Sequence, residues 1–111
     1  MKKLTAKQIS EMQEQRIAKR LGGRCQPNSG GTRFGGGDVH TKDFLIEAKV
    51  PIKPQKSFTV HKEWIKKSEE QAFEQNKPYS AVAIAFDPDG PDYFIIDSRL
   101  FKILVDYLEE V

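Results

Sequence analysis

GGGDVHTKDFLIEAKV, residues 35–50, decides how the chain is read. Three glycines deliver Asp38, eight residues intervene, and Glu47-Ala48-Lys49 then interrupts a strongly apolar run. Side chains alternate along a strand. A strand over 43–50 therefore gives Phe44, Ile46, Ala48 and Val50 one face, fit to pack on a helix. Asp43, Leu45, Glu47 and Lys49 take the other, with Glu47 and Lys49 side by side. Neighbouring strands lie about 4.8 Å apart, so an Asp38 at one end of the preceding strand brings its carboxylate toward that of Glu47. Two such carboxylates repel unless a cation lies between them, and Mg2+ suits an all-oxygen ligand set. A lysine beside them can position or deprotonate a metal-bound water, or neutralise charge growing on a phosphate. The alternative is a surface Glu/Lys pair on an edge strand, of little energetic weight.

Around this stretch the pattern predicts a helix over 5–21, with Ser10, Glu14, Ile17, Ala18 and Leu21 on one stripe and Gly22-Gly23 as its stop. Residues 24–29 suit an edge strand, since Pro27 argues against a central one. Residues 29–37, SGGTRFGGG, are a loop with five glycines. A second helix is predicted over 61–76, a buried strand over 79–86, and a turn over 87–91. A hairpin strand over 93–96 and an amphipathic helix over 98–110 follow. Leu100, Phe101, Leu104, Val105 and Leu108 form the expected core stripe of that last helix. The order implies one α/β domain over 1–111, a mixed β-sheet flanked by helices.

The 111 residues carry a net charge of +2 that hides an asymmetry. Residues 1–67 hold 15 Lys and Arg against 6 Asp and Glu, whereas residues 68–111 hold 3 against 10. A basic part of this kind attracts polyanions. No stretch approaches the roughly 18 apolar residues that span a bilayer, so no membrane partner is expected. The single Cys25 excludes an intrachain disulfide and a cysteine-pair zinc site. A cytoplasmic protein with a reduced thiol is the simplest expectation.

Asp38, eight residues, then Glu47-Ala48-Lys49 resembles the signature of the PD-(D/E)XK nuclease superfamily, with Gly37 where a proline usually precedes the aspartate. The resemblance covers about residues 10–86 and is strongest to small Holliday-junction-resolvase-type, phage-encoded nucleases. Glu14 in the first helix, the Ser29-Gly30 pair and the segment SFTVHKEWIKKSEEQA (57–72) carry it further. It implies a restriction-endonuclease-like αβββαβ core and a Mg2+-dependent DNA endonuclease, with Mn2+ as a substitute ion. The same likeness implies a structure-selective activity on branched DNA in recombination, leaving 5′-phosphate and 3′-hydroxyl ends, in a phage protein acting in a bacterial host. It assigns the metal to Asp38, Glu47, the Ala48 carbonyl and Glu14, water orientation to Lys49, and support of the site to Gln71. Nicking two strands in a related way implies a two-fold homodimer, for which residues 93–96 and the last helix offer apolar surface.

Glu14 also stands out on its own, as a carboxylate where the first helix should face the sheet. The alternative is a helix turned so that Ile9 and Met12 face inward and Glu14 is solvated. Arg33 and Ser29 in the glycine loop, with Lys53, Lys56 and Lys62 after the motif, are the expected phosphate contacts. Lys66 and Lys67 extend that basic run, and the glycine loop read alone is equally a plain connection. His40 and His61 read as surface or turn residues. Two other readings stay open: a non-catalytic nucleic-acid-binding module keeping the fold, and an interaction protein whose charge asymmetry serves a protein partner.

Overall fold

Thr5 begins the first helix, α1 (Ala6–Leu21), through a reciprocal cap in which its hydroxyl accepts from the Gln8 amide and the Gln8 side chain accepts from the Thr5 amide. Gly22, at φ +68°, ends it in the left-handed conformation that glycine adopts without strain. The computed structural model describes residues 3–25 and 38–110, with the side chain of Asp38 outside that set. The expected loop over 29–37, and residues 26–28 of the expected edge strand, lie outside the described residues.

Beyond α1 come β1 (Arg24–Cys25), β2 (Asp38–His40), β3 (Phe44–Lys49), α2 (Lys62–Glu74), β4 (Tyr79–Ala85), β5 (Asp92–Ile95) and α3 (Ser98–Glu109). The five strands form one sheet in the order β1-β2-β3-β4-β5. Only β3 and β4 run parallel, joined through α2, and the other neighbours are antiparallel. The protein is thus α/β with a mixed sheet and, among the described residues, three helices.

Alternation sorts the two sheet faces as expected. Ile46 and Ala48 pack with Val39, Ala81 and Ala83 under Ile17 and Ala18 of α1. Leu45 and Glu47 occupy the opposite face, where α2 lies over β3 and β4 with Ser68 and Ala72 turned inward. Both faces of β3 are covered, so Glu47 lies in the interior (1 % exposed) and the edge-strand alternative fails.

Three packing expectations need correction. The inner stripe of α1 is Ile9, Gln13, Glu14, Ile17 and Ala18, whereas Leu21 and Met12 are exposed. Gln13 turns inward because it has partners there, described below. His40 is buried in β2 rather than placed at the surface. Of the five apolar residues expected to seat α3, only Leu100 is buried, while Phe101, Leu104 and Leu108 are exposed. The reason is geometric. α2 already covers the centre of that face, and α3 stands beside it across an open trough of about 840 Å³ floored by Val82 and Ile95.

Candidate active site

The register of β2 and β3 makes Asp38 and Glu47 direct cross-strand partners. Positions paired this way share a sheet face with Cβ atoms about 5 Å apart. Asp38 is the first residue of β2, so the described ladder ends at this pair and Ala48 lies one residue beyond it. The two acidic positions therefore face each other at the end of the described ladder.

Glu47 is a buried carboxylate with one oxygen engaged and one not. Its Oε2 lies 3.3 Å from the Lys49 ammonium, whose side chain keeps 21 % exposure. Its Oε1 is buried and has no hydrogen-bond partner among the described residues. An anionic oxygen held out of water without a donor is strongly disfavoured. A carboxylate oxygen is a donor type that a hard cation accepts.

Trp64, in the first turn of α2, reaches the same place. Lys49 Nζ sits 4.9 Å from the centre of its ring, within the range of a cation–π contact. The rings of Phe58 and His61 close around the indole at 6.1 and 4.7 Å. His61 is the N-cap residue of α2 and is exposed. Trp64, Ser68 and Gln71 lie along one stripe of the helix. Gln71 is half-buried, and its Oε1 is a second buried oxygen without a donor among the described residues.

Gln13 and Asp92 support the end of β3, and the sequence reading assigned a role to neither. The Gln13 amide donates to the Lys49 carbonyl at 2.9 Å and to Asp92 Oδ1 at 3.1 Å. Asp92, at the start of β5, also accepts a bidentate pair from Arg16, at 2.7 Å from Nε and 2.9 Å from Nη2. Arg16 Nη1 donates to the Pro88 carbonyl. Gly90 gives this guanidinium room, because a Cβ there would stand 3.2 Å from Arg16 Nε. One network thus ties α1 to β5 and to the backbone of Lys49. No local pattern in the sequence marks Gln13, whose partners lie 36 and 79 positions away.

The other predicted residues fall in different places. Glu14 is buried, as its stripe required, on the helix that covers the face opposite Glu47. Its charge adds to burial in raising the pKa of the Cys25 thiol. No group of three metal-ligating His, Cys, Asp or Glu residues occurs among the described residues. The donor types nevertheless fit a hard cation: Glu47 presents an unengaged carboxylate oxygen and Asp38 is its register partner. Lys53, Lys56 and Lys62 are exposed, as phosphate contacts must be, on the loop after β3 and at the start of α2. Ser29 and Arg33 lie outside the described residues.

Comparison with known protein families, with curated proteins and with solved structures finds no match.

Proposed function

We propose that the chain is a Mg2+-dependent DNA endonuclease of the PD-(D/E)XK type, acting on branched DNA in the manner of a junction resolvase. The observation that carries this reading is Glu47: buried, paired through one oxygen to Lys49, without a hydrogen-bond partner among the described residues at the other, and register partner of Asp38. The order α1-β1-β2-β3-α2-β4 supports an αβββαβ core of the restriction-endonuclease kind.

In this reading Asp38, Glu47 and the Ala48 carbonyl hold the ion. When bound, Mg2+ supplies a water of lowered pKa and charge stabilisation at the scissile phosphate. Lys49 orients the attacking water and offsets negative charge growing on the phosphorus oxygens. Burial of Glu47 and the Trp64 ring restrict where its ammonium can go. Gln71 points a buried oxygen from α2 into the same layer and supports the arrangement. Lys53, Lys56 and Lys62 flank the motif and hold the phosphate backbone, so affinity should fall with salt at a log–log slope of about −0.9 per duplex phosphate contacted.

The test is a labelled four-way junction beside a matched linear duplex, each with Mg2+ or with EDTA, for wild type and Lys49→Ala. Mg2+-dependent symmetric nicking of the junction, lost in the variant, is the expected result. Equal cutting of both substrates would keep the nuclease and discard junction selectivity. Salt-dependent binding with no cutting in Mg2+ or Mn2+ would replace it with the non-catalytic binding module.

A further inference from the structure

Three rings stand together beside the candidate site, and none belongs to the buried core. Trp64 is half-buried, with the Lys49 ammonium over its ring and the rings of Phe58 and His61 tilted against it. His61 is the exposed member of the group. It holds the N-cap position of α2, yet its side chain makes no capping hydrogen bond. Ser, Thr, Asp and Asn are what that position favours, because a side-chain oxygen there satisfies a free helix amide. The chain forgoes that cap for an imidazole 4.7 Å from the Trp64 ring. Beside the imidazole lies a shallow, open depression of about 380 Å³, lined by His61, Lys62, Glu63 and Lys66. Its two ammonium groups outnumber its one carboxylate, and Glu63 sits in the first turn of α2, where the helix dipole favours an acid.

An exposed aromatic face flanked by lysines has the chemistry that receives a nucleobase and its phosphate. Bases stack on aromatic rings, histidine among them, while positive charges track the backbone. Inside a duplex the faces of a base are covered by its neighbours. Such a ring therefore takes only a base that has left the stack or was never paired. Through Trp64, His61 is one ring removed from Lys49. A base held there belongs to a nucleotide near the phosphate that Lys49 addresses.

We infer that His61, backed by Trp64 and Phe58 and flanked by Lys62 and Lys66, is a stacking site for an unpaired DNA base. The choice of DNA and the nearness to the cut rest on the nuclease reading, whereas the stacking itself does not. The site favours branch points that leave a nucleotide unpaired near the scissile bond over fully paired ones. Anisotropy titrations in EDTA, where a Mg2+-dependent nuclease is silent, test it with labelled single strands of equal length. The probes are an oligothymidylate, its abasic counterpart with the same phosphates, and an oligouridylate. Wild type should bind the oligothymidylate about 5–150-fold more tightly than the abasic strand. His61→Tyr should keep that preference. His61→Ser, which supplies a capping hydroxyl and so should fold at least as stably, should bind both strands as wild type binds the abasic one. Equal binding of the two strands by wild type would overturn the inference, as would a preference that survives His61→Ser. Tighter binding of the oligouridylate than of the oligothymidylate would overturn the assignment to DNA. Cleavage is a separate readout: a protein that shows the His61-dependent preference and cuts nothing in Mg2+ supports the stacking site and fails the nuclease reading.

Discussion

The Lys49 ammonium lies 4.9 Å from the centre of the Trp64 ring, on the side of β3 where Glu47 is buried. A lysine with four rotatable bonds is a poor positional catalyst unless its head is confined. Here one oxygen of Glu47 and the face of an indole confine it. Cation–π contacts contribute about 0.5–2 kcal/mol, equivalent to about 2–30-fold in rate if the contact matters in the transition state. Trp64→Ala should therefore lower the single-turnover cleavage rate within that range and leave DNA affinity nearly unchanged. Trp64→Phe, which keeps an aromatic face, should recover most of the rate. Equal rates for all three proteins would show that the ring is only packing.

The unengaged oxygen of Glu47 gives a readout of metal binding that needs no DNA. An ion bound only by the folded chain stabilises it by mass action. With about 10 mM Mg2+ and a dissociation constant near 1 mM, the gain is about 1.4 kcal/mol, or roughly 5 °C or more in Tm for a domain of this size. Thermal unfolding should show that rise for wild type, and chelation should reverse it. Glu47→Ala should show no Mg2+-dependent rise, whatever its own stability. An identical rise in both proteins would place the ion elsewhere.

The network from Gln13 to Asp92 should matter for stability as well as position. Gln13→Leu leaves the Lys49 carbonyl without its side-chain donor and removes one partner of Asp92, a loss of about 1–3 kcal/mol. Asp92→Ala strips a half-buried arginine of a bidentate partner and should cost about 2–3 kcal/mol. Urea denaturation followed by fluorescence measures both. If the clamp also fixes the end of β3, the Gln13 variant should lose cleavage at temperatures where it is fully folded. Retained cleavage there would confine the clamp to a role in folding.

Much of this arrangement is written in short-range patterns. The alternation over 44–49 placed Glu47 and Lys49 together, and the two acidic positions in register only required Asp38 to open β2. Helix bounds followed from Thr5 and Gly22, whose capping chemistry is local. What the sequence did not disclose depends on distant partners. Gln13 looks like any polar helix residue until Asp92, 79 positions later, is beside it. His40 is buried because β1 and β3 flank it on both sides. Apolar periodicity in α3 announced an inward face but not what it faces. That same pattern serves a core or a partner equally well, and here the body leaves most of it uncovered.

His40 supplies a pH dependence whose sign follows from its surroundings. Burial holds its pKa below the ordinary histidine value, and the positive charges of Lys77 and Arg24 push the same way. Lys77 is fixed there by bonds to the Thr41 and Lys42 carbonyls, and Arg24 is the register partner of His40 on β1. The Nε2 atom of His40 is buried without a hydrogen-bond partner among the described residues. Above the unfolded value of about 6.5 the ring is neutral in both states and adds no slope. As pH falls from there toward the lowered folded value, the unfolded chain takes up a proton that the folded chain resists, so stability declines. Below the folded value both states are protonated and the decline from this group stops. Wild type should therefore lose Tm as pH drops below about 6.5, and His40→Asn should flatten that part of the curve. Lys77→Met, which removes one of the repelling charges, should raise the folded pKa and shrink the loss without abolishing it. An unchanged slope in His40→Asn would assign the acid sensitivity to other groups.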